Sequence, residues 1–172
     1  MTIIGTKKQG KTTLTVKLAA ELHRRGHRVM TMKHGSHTFN IDPSTTDTYK
    51  HYHEGHAERV AMVSPDKFAL VERWTEERGP EEIAELYLAE ADIVIAEGFK
   101  AAALPKIEIW RKETGKTPLY EAGSAASTHY IAIATDDPSM QATATPVPVV
   151  LFSEPDWLTA LADLIETKVM HT

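Results

Sequence analysis

The stretch GTKKQGKTTL, residues 5–14, decides the fold, because it matches the phosphate-binding pattern G-x-x-x-x-G-K-[ST] at every fixed position. In such a loop, called a P-loop or Walker A motif, glycines let successive backbone N–H groups turn toward one anion, and the following helix adds the partial positive charge of its N-terminus. We expect Lys11 to reach the β- and γ-phosphates of a nucleotide and the Thr12 hydroxyl to bind Mg²⁺. Lys7 and Lys8 add positive charge to the rim of the loop.

The sequence around the loop alternates short apolar runs with longer amphipathic stretches, which is typical of an α/β fold with a mainly parallel central sheet flanked by helices. Expected strands cover 2–4, 27–33, 58–64, 67–72, 92–98, 105–111, 129–137 and 146–152, and expected helices cover about 11–25, 47–56, 79–91 and 154–170. The alternating strand at 105–111 is interpreted as lying at or near an edge of the sheet, and 112–128 as a loop. These elements predict a P-loop NTPase-like fold in a single nucleotide-binding domain, residues 1–172.

Composition narrows the classes of protein. A hydrophobic fraction of 42% with 25% charged residues is ordinary for a globular chain, and a net charge of -5 argues against a nucleic-acid-binding surface. The sequence has no cysteine and no apolar run long enough for a membrane span, and we expect no signal peptide. We therefore expect a cytoplasmic protein without disulfides or thiolate metal sites.

A magnesium-bound nucleotide also needs an acidic residue, and two carboxylates are candidates. Glu97 ends the apolar run DIVIAEG at 92–98, where an acidic residue is costly unless it pairs or binds a metal. We interpret Glu97 as a residue that binds Mg²⁺ or orients water, and the alternative is a buried ion pair, for instance with Lys100. Asp42 is the rival metal ligand, and its alternative role is to form a turn before Pro43.

Five histidines lie between residues 34 and 56: His34, His37, His51, His53 and His56. Their spacing suggests zinc, but no cysteine is available to complete a structural zinc site, and His51 and His53 cannot share one face of a helix. We favour a different role for Lys33 and His34, which end a strand. Ligands of open parallel sheets bind at that edge, so both side chains are expected to point at the phosphates or at a ligand beside them.

Guanine is commonly selected by an aspartate that accepts hydrogen bonds from the base, and the usual Asn/Thr-Lys-x-Asp sequence is missing here. Thr135, Asp136 and Asp137 instead follow a late buried strand, where base-reading residues of this class lie. Either aspartate is therefore a candidate for guanine contact. The alternative is an N-cap aspartate before the turn at Pro138. ATP is the alternative nucleotide to GTP.

Taken together, the motifs resemble those of the MobB family, the GTP-binding proteins of molybdenum cofactor (molybdopterin guanine dinucleotide) biosynthesis. GTKKQGKTTL resembles the family's opening P-loop, MKHGSH followed by FNID its Lys-His…His…Asp loop, and TDTYKHYHEGHAERV its Asp-Ser…Ala-Gly-Ala segment. DIVIAEGFK matches its Glu-Gly-[Phe/Tyr]-Lys motif, LPKIEIWR is similar to its Pro/Ala-Lys-Ile strand, and YIAIATDDP to its late strand with an acidic turn. The loop departs from the family by carrying Lys7, Lys8 and Gln9 in place of small polar residues.

The resemblance implies a protein that binds GTP with Mg²⁺, hydrolyses it weakly and acts as an adaptor beside the guanylyltransferase that joins GMP to molybdopterin. It also implies a homodimer, and neither nucleic acid nor membrane is an expected partner. Lys11 and Glu97 are the expected catalytic residues, and the expected metal ligands are Thr12, Asp42 and Glu97. The expected nucleotide contacts are Gly5, Thr6, Lys7, Gln9, Gly10, Lys11, Thr12, Thr13, Lys33, His34, Lys100, Thr135, Asp136 and Asp137.

Two other functions remain as alternatives. A small-molecule kinase on a P-loop scaffold would need a lid of clustered arginines, but the arginines are scattered at 24, 25, 28, 59, 73, 78 and 111. A metal-binding or metal-delivery protein would use the histidines instead. If hydrolysis occurs, we expect it to be slow, because the sequence has no glutamine or arginine finger at a recognisable switch position.

Overall fold

The chain forms two compact units in the computed structural model, which describes residues 1–35, 42–142 and 146–171. The first unit comprises Met1–His34 with Gly79–Thr172, and the second is Gly35–Arg78. The expectation of a single domain over the whole chain stays a prediction. Across the described ranges, no helix combines the length and the apolar character that crossing a bilayer requires.

The first unit is built on a parallel sheet of six strands. Numbered along the chain, the strands are β1 (Thr2–Ile4), β2 (Val29–Lys33), β3 (Arg59–Val63), β4 (Phe68–Glu72), β5 (Ile93–Glu97), β6 (Lys106–Trp110), β7 (Tyr130–Thr135) and β8 (Val149–Leu151). Six of them pair in the order β2-β5-β1-β6-β7-β8, and every neighbouring pair is parallel. The predicted parallel sheet is confirmed. Its strands' carboxyl ends meet at one edge, where ligands of such sheets bind.

The α-helices are α1 (Lys11–Arg24), α2 (Asp47–His53), α3 (Pro80–Tyr87), α4 (Ser139–Ala142) and α5 (Trp157–Ile165). Two of them, α1 and α5, cover one face of the parallel sheet with apolar side chains. Leu14, Leu18 and Leu22 lie on the buried stripe of α1 and share one core with Leu161 and Ile165 of α5. Each fully buried leucine of this kind stabilises the fold by about 2 kcal/mol. The core therefore holds α1, and with it the phosphate loop, against the sheet.

The second unit contains the antiparallel hairpin of β3 and β4, joined by the turn at 64–67. This agrees with the two strands expected on either side of Ser64-Pro65-Asp66. Thr46 caps α2, because its hydroxyl accepts a hydrogen bond from the N–H of Tyr49 at 3.3 Å. In the first unit, the expected loop at 112–128 contains two short 3₁₀ turns, Lys112–Thr114 and Ala125–His129.

The prediction that β6 lies at or near an edge was wrong. β6 lies between β1 and β7, and all five of its residues are buried. Its alternating charged residues are buried but satisfied by backbone. Lys106 Nζ donates to the carbonyl oxygens of residues 100 and 102 at 3.2 and 2.8 Å, and the Glu108 carboxylate accepts from the N–H groups of residues 119 and 120 at 2.6 and 2.9 Å. The charged residues alternate with apolar ones in β6 because each holds the backbone of a loop inside the protein, and not because one face of the strand is solvated.

The end of α5 is held to α1 by an ion-pair cluster that makes stability depend on pH. Glu166 lies 2.7 Å from the His27 ring and accepts from Arg25 at 2.6 Å. The hydrogen bond with His27, followed by the contacts with Arg25, lowers the pKa of Glu166 below its usual value of 4.5. A lowered carboxyl pKa stabilises the fold above the unfolded pKa, and this contribution is lost as the pH falls through the folded pKa.

Glu166→Gln is therefore expected to lower the free energy of unfolding by about 1 kcal/mol near neutral pH. The difference from wild type should shrink as the pH falls below 4.5, because the wild-type carboxyl then becomes neutral as well. Urea unfolding at neutral and acidic pH measures both values. Glu90→Gln, at an exposed ion pair with Arg28, is the matched control and should have little effect at either pH. A deficit that stays constant with pH contradicts this account.

Candidate nucleotide-binding site

The phosphate loop, residues 5–12, joins β1 to α1 through two glycines with special backbone conformations. Gly5 has a φ of 150°, and a Cβ added to it would lie 2.5 Å from the carbonyl oxygen of Ile109 on β6. Gly10, the N-cap of α1, has a φ of 96°, which glycine adopts at little cost. In this described region, no side chain caps α1 and no acidic residue lies in its first turn. The helix N-terminus therefore favours an anion in the loop.

Gly5→Ala is expected to lower the free energy of unfolding by about 2 kcal/mol or more, because the new Cβ must push against backbone of β6. Gly123→Ala is the control, since Gly123 also has a positive φ, 78°, but no atom lies within 4 Å of an added Cβ. It should cost only about 1 kcal/mol. Thermal unfolding of both variants measures the difference, and equal losses would show that the approach to β6 does not matter.

Thr12 and Glu97, two of the predicted metal ligands, are in direct contact. Thr12 Oγ1 donates to Glu97 Oε1 at 3.0 Å, and Glu97 is buried with 7% of its surface exposed. Lys33 Nζ lies 3.2 Å from the same carboxylate oxygen and donates to Thr12 Oγ1 at 3.4 Å. The alternative ion pair of Glu97 thus forms with Lys33 rather than Lys100, because parallel pairing places Lys33 opposite Glu97. A hydroxyl beside a carboxylate offers the hard oxygen ligands that Mg²⁺ prefers, so these residues fit that ion.

Lys11 lies among several cations. Its Nζ donates to the carbonyl oxygen of Thr6 at 3.0 Å. Burial is the main cause that lowers the pKa of Lys11, and Glu97 opposes this shift. Nearby lysines lower the pKa further, and these are Lys100, Lys33 and Lys116. Such a concentration of positive charge is unfavourable by itself and becomes favourable when a polyanion such as a triphosphate lies between the cations.

The rim of the loop is also basic. Lys7 and Lys8 are exposed, and so is Thr13 in the first turn of α1. Lys8 has a φ of 71°, which is uncommon outside glycine, and the carbonyl oxygen of Lys7 accepts from Lys116 Nζ at 3.3 Å. The backbone of Lys7 is thus fixed, while the direct nucleotide contacts expected here stay predictions.

The ends of β2 and β5 bring the predicted residues Lys33, His34 and Lys100 to one edge of the sheet. The N–H of His34 donates to the carbonyl oxygen of Glu97 at 2.9 Å, and the ring of His34 stacks on Phe99 with centroids 4.7 Å apart. This approach requires Gly98, whose φ is 102°, because an added Cβ would lie 3.0 Å from the Cβ of His34. The motif Glu-Gly-Phe-Lys therefore needs glycine at its second position, because His34, directly after β2, lies too close for a side chain there.

Gln9 has a role that sequence reasoning missed. Its side chain is fully buried, Nε2 donates to the hydroxyls of Thr6 and Thr114 at 3.1 and 2.7 Å, and Oε1 accepts from the N–H of Arg111 at 2.6 Å. Any nucleotide contact by Gln9 therefore has to come from its backbone. The available signal was the departure of this position from the small polar residues usual in the family.

The predicted base-reading residues differ in access to solvent. Thr135 is fully buried, and its hydroxyl accepts from the N–H of Asp137 at 3.1 Å. Asp137 is buried and accepts from the N–H and hydroxyl of Ser139, and these hydrogen bonds, with a smaller contribution from Lys112, lower its pKa. It thus makes the capping contacts that were the alternative reading. Asp136 is exposed, so it is the accessible one of the two aspartates.

Asp42 and most of the histidine cluster belong to the second unit. Asp42 is half-buried and precedes a turn in which the N–H of Thr46 donates to the carbonyl oxygen of Pro43 at 3.1 Å. Its role as a metal ligand stays a prediction. His51 and His53 lie on α2, His56 follows it, and His37 falls outside the described residues. Within residues 1–35, 42–142 and 146–171, no three histidine, aspartate or glutamate side chains are grouped to hold a metal ion.

The fold has close counterparts among solved structures. "The Crystal structure of Bacillus subtilis MobB" matches with a TM-score of 0.68 and 22% identity, covering 95% of each chain. "Crystal Structure of molybdopterin-guanine biosynthesis protein B (mobB)" matches with a TM-score of 0.68 and 24% identity, covering 99% of this chain and 98% of that one. At these identities the likeness establishes the α/β fold.

Sequence comparison establishes the family. A molybdopterin-guanine dinucleotide biosynthesis adapter protein from Haemophilus influenzae is 33% identical over 142 residues, which are 79% of this chain and 74% of that protein. A protein of the same name from Escherichia coli is 33% identical over 135 residues, covering 75% and 73%. The family model MobB, molybdopterin guanine dinucleotide synthesis protein B, matches residues 1–136. The resemblance seen in the motifs is confirmed: the chain belongs to the MobB family.

Proposed function

We propose that this protein binds GTP with Mg²⁺, hydrolyses it slowly and acts as an adapter in molybdopterin guanine dinucleotide biosynthesis, beside the guanylyltransferase that joins GMP to molybdopterin. The adapter role is supported by the names of its relatives from two bacteria. The observation that carries the nucleotide half is the contact of Thr12 with Glu97 at the start of α1, next to Lys11 and Lys33.

In this proposal the residues of the loop and of β5 share the charge of the nucleotide. The loop N–H groups and Lys11 hold the β- and γ-phosphates, and Lys33 can move from Glu97 to a phosphate oxygen. Thr12 and Glu97 would hold Mg²⁺, which supplies charge neutralisation between the two phosphates. Glu97 is also placed to orient a water molecule, because its carboxylate lies at the carboxyl end of β5.

Slow hydrolysis is supported by the surroundings of Arg111, the arginine beside the loop. Its Nε lies 3.7 Å from the position of a Cβ added to Gly10. The guanidinium nevertheless lies over the ring of Phe152, 5.0 Å from its centroid, and 3.8 Å from Glu113. We therefore expect Arg111 to contribute little of the charge stabilisation at a transferring phosphate that supplies about 10³–10⁵ in rate.

Guanine selection is assigned to Asp136. Its carboxylate is exposed at the carboxyl edge of the sheet, whereas Asp137 is buried and engaged with Ser139. An aspartate can accept two hydrogen bonds from the N1–H and the exocyclic amine of guanine, which adenine does not offer in that arrangement.

Calorimetric titration of GTP and ATP, each with and without Mg²⁺, tests the proposal. We expect GTP to bind more tightly than ATP by about tenfold or more, Mg²⁺ to strengthen binding, and turnover without a partner to stay below about 1 s⁻¹. Failure to bind either nucleotide would refute the proposed function, and a preference for ATP would refute the assignment of Asp136.

We also propose that the protein is a homodimer, because the hairpin of the second unit exposes apolar side chains. The hairpin exposes Val63, Phe68 and Met62 by 75%, 64% and 53%, which is a large apolar surface for two strands with open edges. Light scattering after size exclusion should give the dimer mass for wild type and the monomer mass for Val63→Asp with Phe68→Asp. Lys67→Asp, in the same turn, controls for added negative charge. A monomeric wild type would end this proposal.

A further inference from the structure

We propose that the turn at residues 111–116 couples the phosphate loop to the base-reading edge, and that Gln9 and Thr114 are positioning residues through which the protein discriminates guanine from adenine. This inference rests on the proposed function. Segments that are distant in sequence are thereby joined into one site, and the unusual loop residue Gln9 makes the connection.

The connection starts in the phosphate loop. Both N–H donors of the Gln9 amide are used, one on Thr6 inside the loop and one on Thr114 in the turn, and its oxygen accepts from Arg111. The side chain is fully buried. A buried amide with satisfied donors and acceptor holds its partners in one arrangement, because any displacement leaves a polar group unpaired.

The turn is braced on its own side as well. The Thr114 hydroxyl donates to the carbonyl oxygen of Arg111 at 2.9 Å, and the indole N–H of Trp110 donates to the carbonyl oxygen of Lys116 at 2.6 Å. Lys116 Nζ in turn donates to the carbonyl oxygen of Lys7 at 3.3 Å. The turn and the loop are thus joined at two points, through Gln9 and through Lys116.

The other end of the connection reaches the base-reading edge. The N–H of Lys112 donates to Asp136 Oδ1 at 3.0 Å, and Lys112 Nζ lies 3.1 Å from Asp137 Oδ2. Asp136 is exposed, and among the described residues the N–H of Lys112 holds its carboxylate in one direction. A phosphate loop in its binding conformation therefore comes with an oriented Asp136.

Orientation of a carboxylate matters more for the base than for the phosphates. When the turn is loosened, the bonds from Gln9 and Lys11 to Thr6 are still available, so we expect the loop to keep its grip on a triphosphate while the carboxylate acceptor for guanine loses its fixed direction. The expected signature is a loss of preference for GTP over ATP with little loss of affinity for inorganic tripolyphosphate. General damage to the fold would weaken all three ligands together.

Thr114→Val tests the loop end of the turn, because it removes one hydroxyl without changing shape. We expect the GTP-to-ATP affinity ratio to fall about threefold to tenfold, and the tripolyphosphate affinity to change less than about twofold, by calorimetry. Thr114→Ser should restore the ratio. Thr128→Val is the matched control, since the exposed Thr128 hydroxyl donates only within its own 3₁₀ turn.

Lys112→Pro tests the other end. Proline at the first position of the 3₁₀ turn Lys112–Thr114 removes the N–H that holds Asp136, and the extended backbone of Arg111 is compatible with a following proline. Lys112→Ala is its control, because it removes the side chain but keeps the N–H. We expect the proline variant to lose nucleotide preference well beyond the alanine variant.

Asp136→Asn completes the test as a double-mutant cycle. If the turn acts through Asp136, Thr114→Val should change the GTP-to-ATP ratio by less than about 1.5-fold in the Asp136→Asn background. An unchanged preference in Thr114→Val, an equal loss for all three ligands, or the same loss in both backgrounds would overturn the inference. A wild type that does not distinguish GTP from ATP would instead contradict the guanine assignment of the proposed function.

Discussion

Lys11→Ala is expected to weaken GTP binding by about 100-fold or more. Lys11 is the loop lysine that the phosphate-binding pattern predicts to reach the β- and γ-phosphates, and burial, together with nearby lysines, lowers its pKa. Removing it leaves the most highly charged part of the nucleotide without its main compensating charge in a partly buried site. Calorimetric titration with GTP and Mg²⁺ gives the affinity directly.

Lys168→Ala is the control, because Lys168 is an exposed lysine of the π-helical turn Glu166–Met170. It should bind GTP as wild type does. Thermal unfolding should show that Lys11→Ala remains folded, since among the described residues the Lys11 side chain makes one hydrogen bond, to the carbonyl oxygen of Thr6. If Lys11→Ala binds GTP with an affinity within a few-fold of wild type, the loop is not the part of the protein that binds the nucleotide.

Glu97→Gln has the second large expected effect, on the magnesium dependence of the site. The amide keeps the size of the side chain and can still accept from Thr12, but it loses the negative charge that Mg²⁺ and Lys33 require. We expect the gain in GTP affinity on adding Mg²⁺ to fall about tenfold, and any hydrolysis to fall about 100-fold. Titrations with and without Mg²⁺, together with phosphate release, measure these changes.

Glu121→Gln, an exposed carboxylate elsewhere in the first unit, serves as the control for Glu97. Binding of GTP without Mg²⁺ should change little in Glu97→Gln, or even tighten, because Lys33 is then released from its ion pair. An undiminished response to Mg²⁺ in this variant would show that the metal is held by other residues.

The parallel sheet and the phosphate loop could be predicted because their signals are local. The pattern at 5–12 specifies a strand, a turn and a helix within a few residues, and the leucines of α1 repeat along one stripe. The Glu-Gly-Phe-Lys stretch likewise ends the apolar strand β5. Each of these features depends on neighbours in sequence, so pattern and periodicity were sufficient.

The features that were missed depend on contacts between distant residues. Lys106 and Glu108 gave β6 the alternation of an edge strand, but their partners are backbone groups in two loops. Gln9 finds its partners more than 100 residues along the chain, at Arg111 and Thr114. No local rule distinguishes a buried polar anchor from an exposed side chain, because the difference lies in what covers it.

The ion-pair partner of Glu97 is determined by the register of the β2–β5 pair, which could not be predicted from the sequence. Lys100 was the candidate ion-pair partner of Glu97 because it is near in sequence, whereas Lys33 lies opposite Glu97 across the β2–β5 pair. From the sequence, Asp136 and Asp137 were equally good candidates for guanine contact. The structure distinguishes them because Ser139, two residues after Asp137, donates its N–H and its hydroxyl to the Asp137 carboxylate.

The buried ammonium of Lys106 acts as a covalently tethered monovalent cation. It donates hydrogen bonds to the carbonyl oxygens of residues 100 and 102, and burial lowers its pKa. The turn that presents Lys100 therefore carries its own ion within the polypeptide. We therefore expect the shape of this turn to be the same whichever monovalent salts surround the protein.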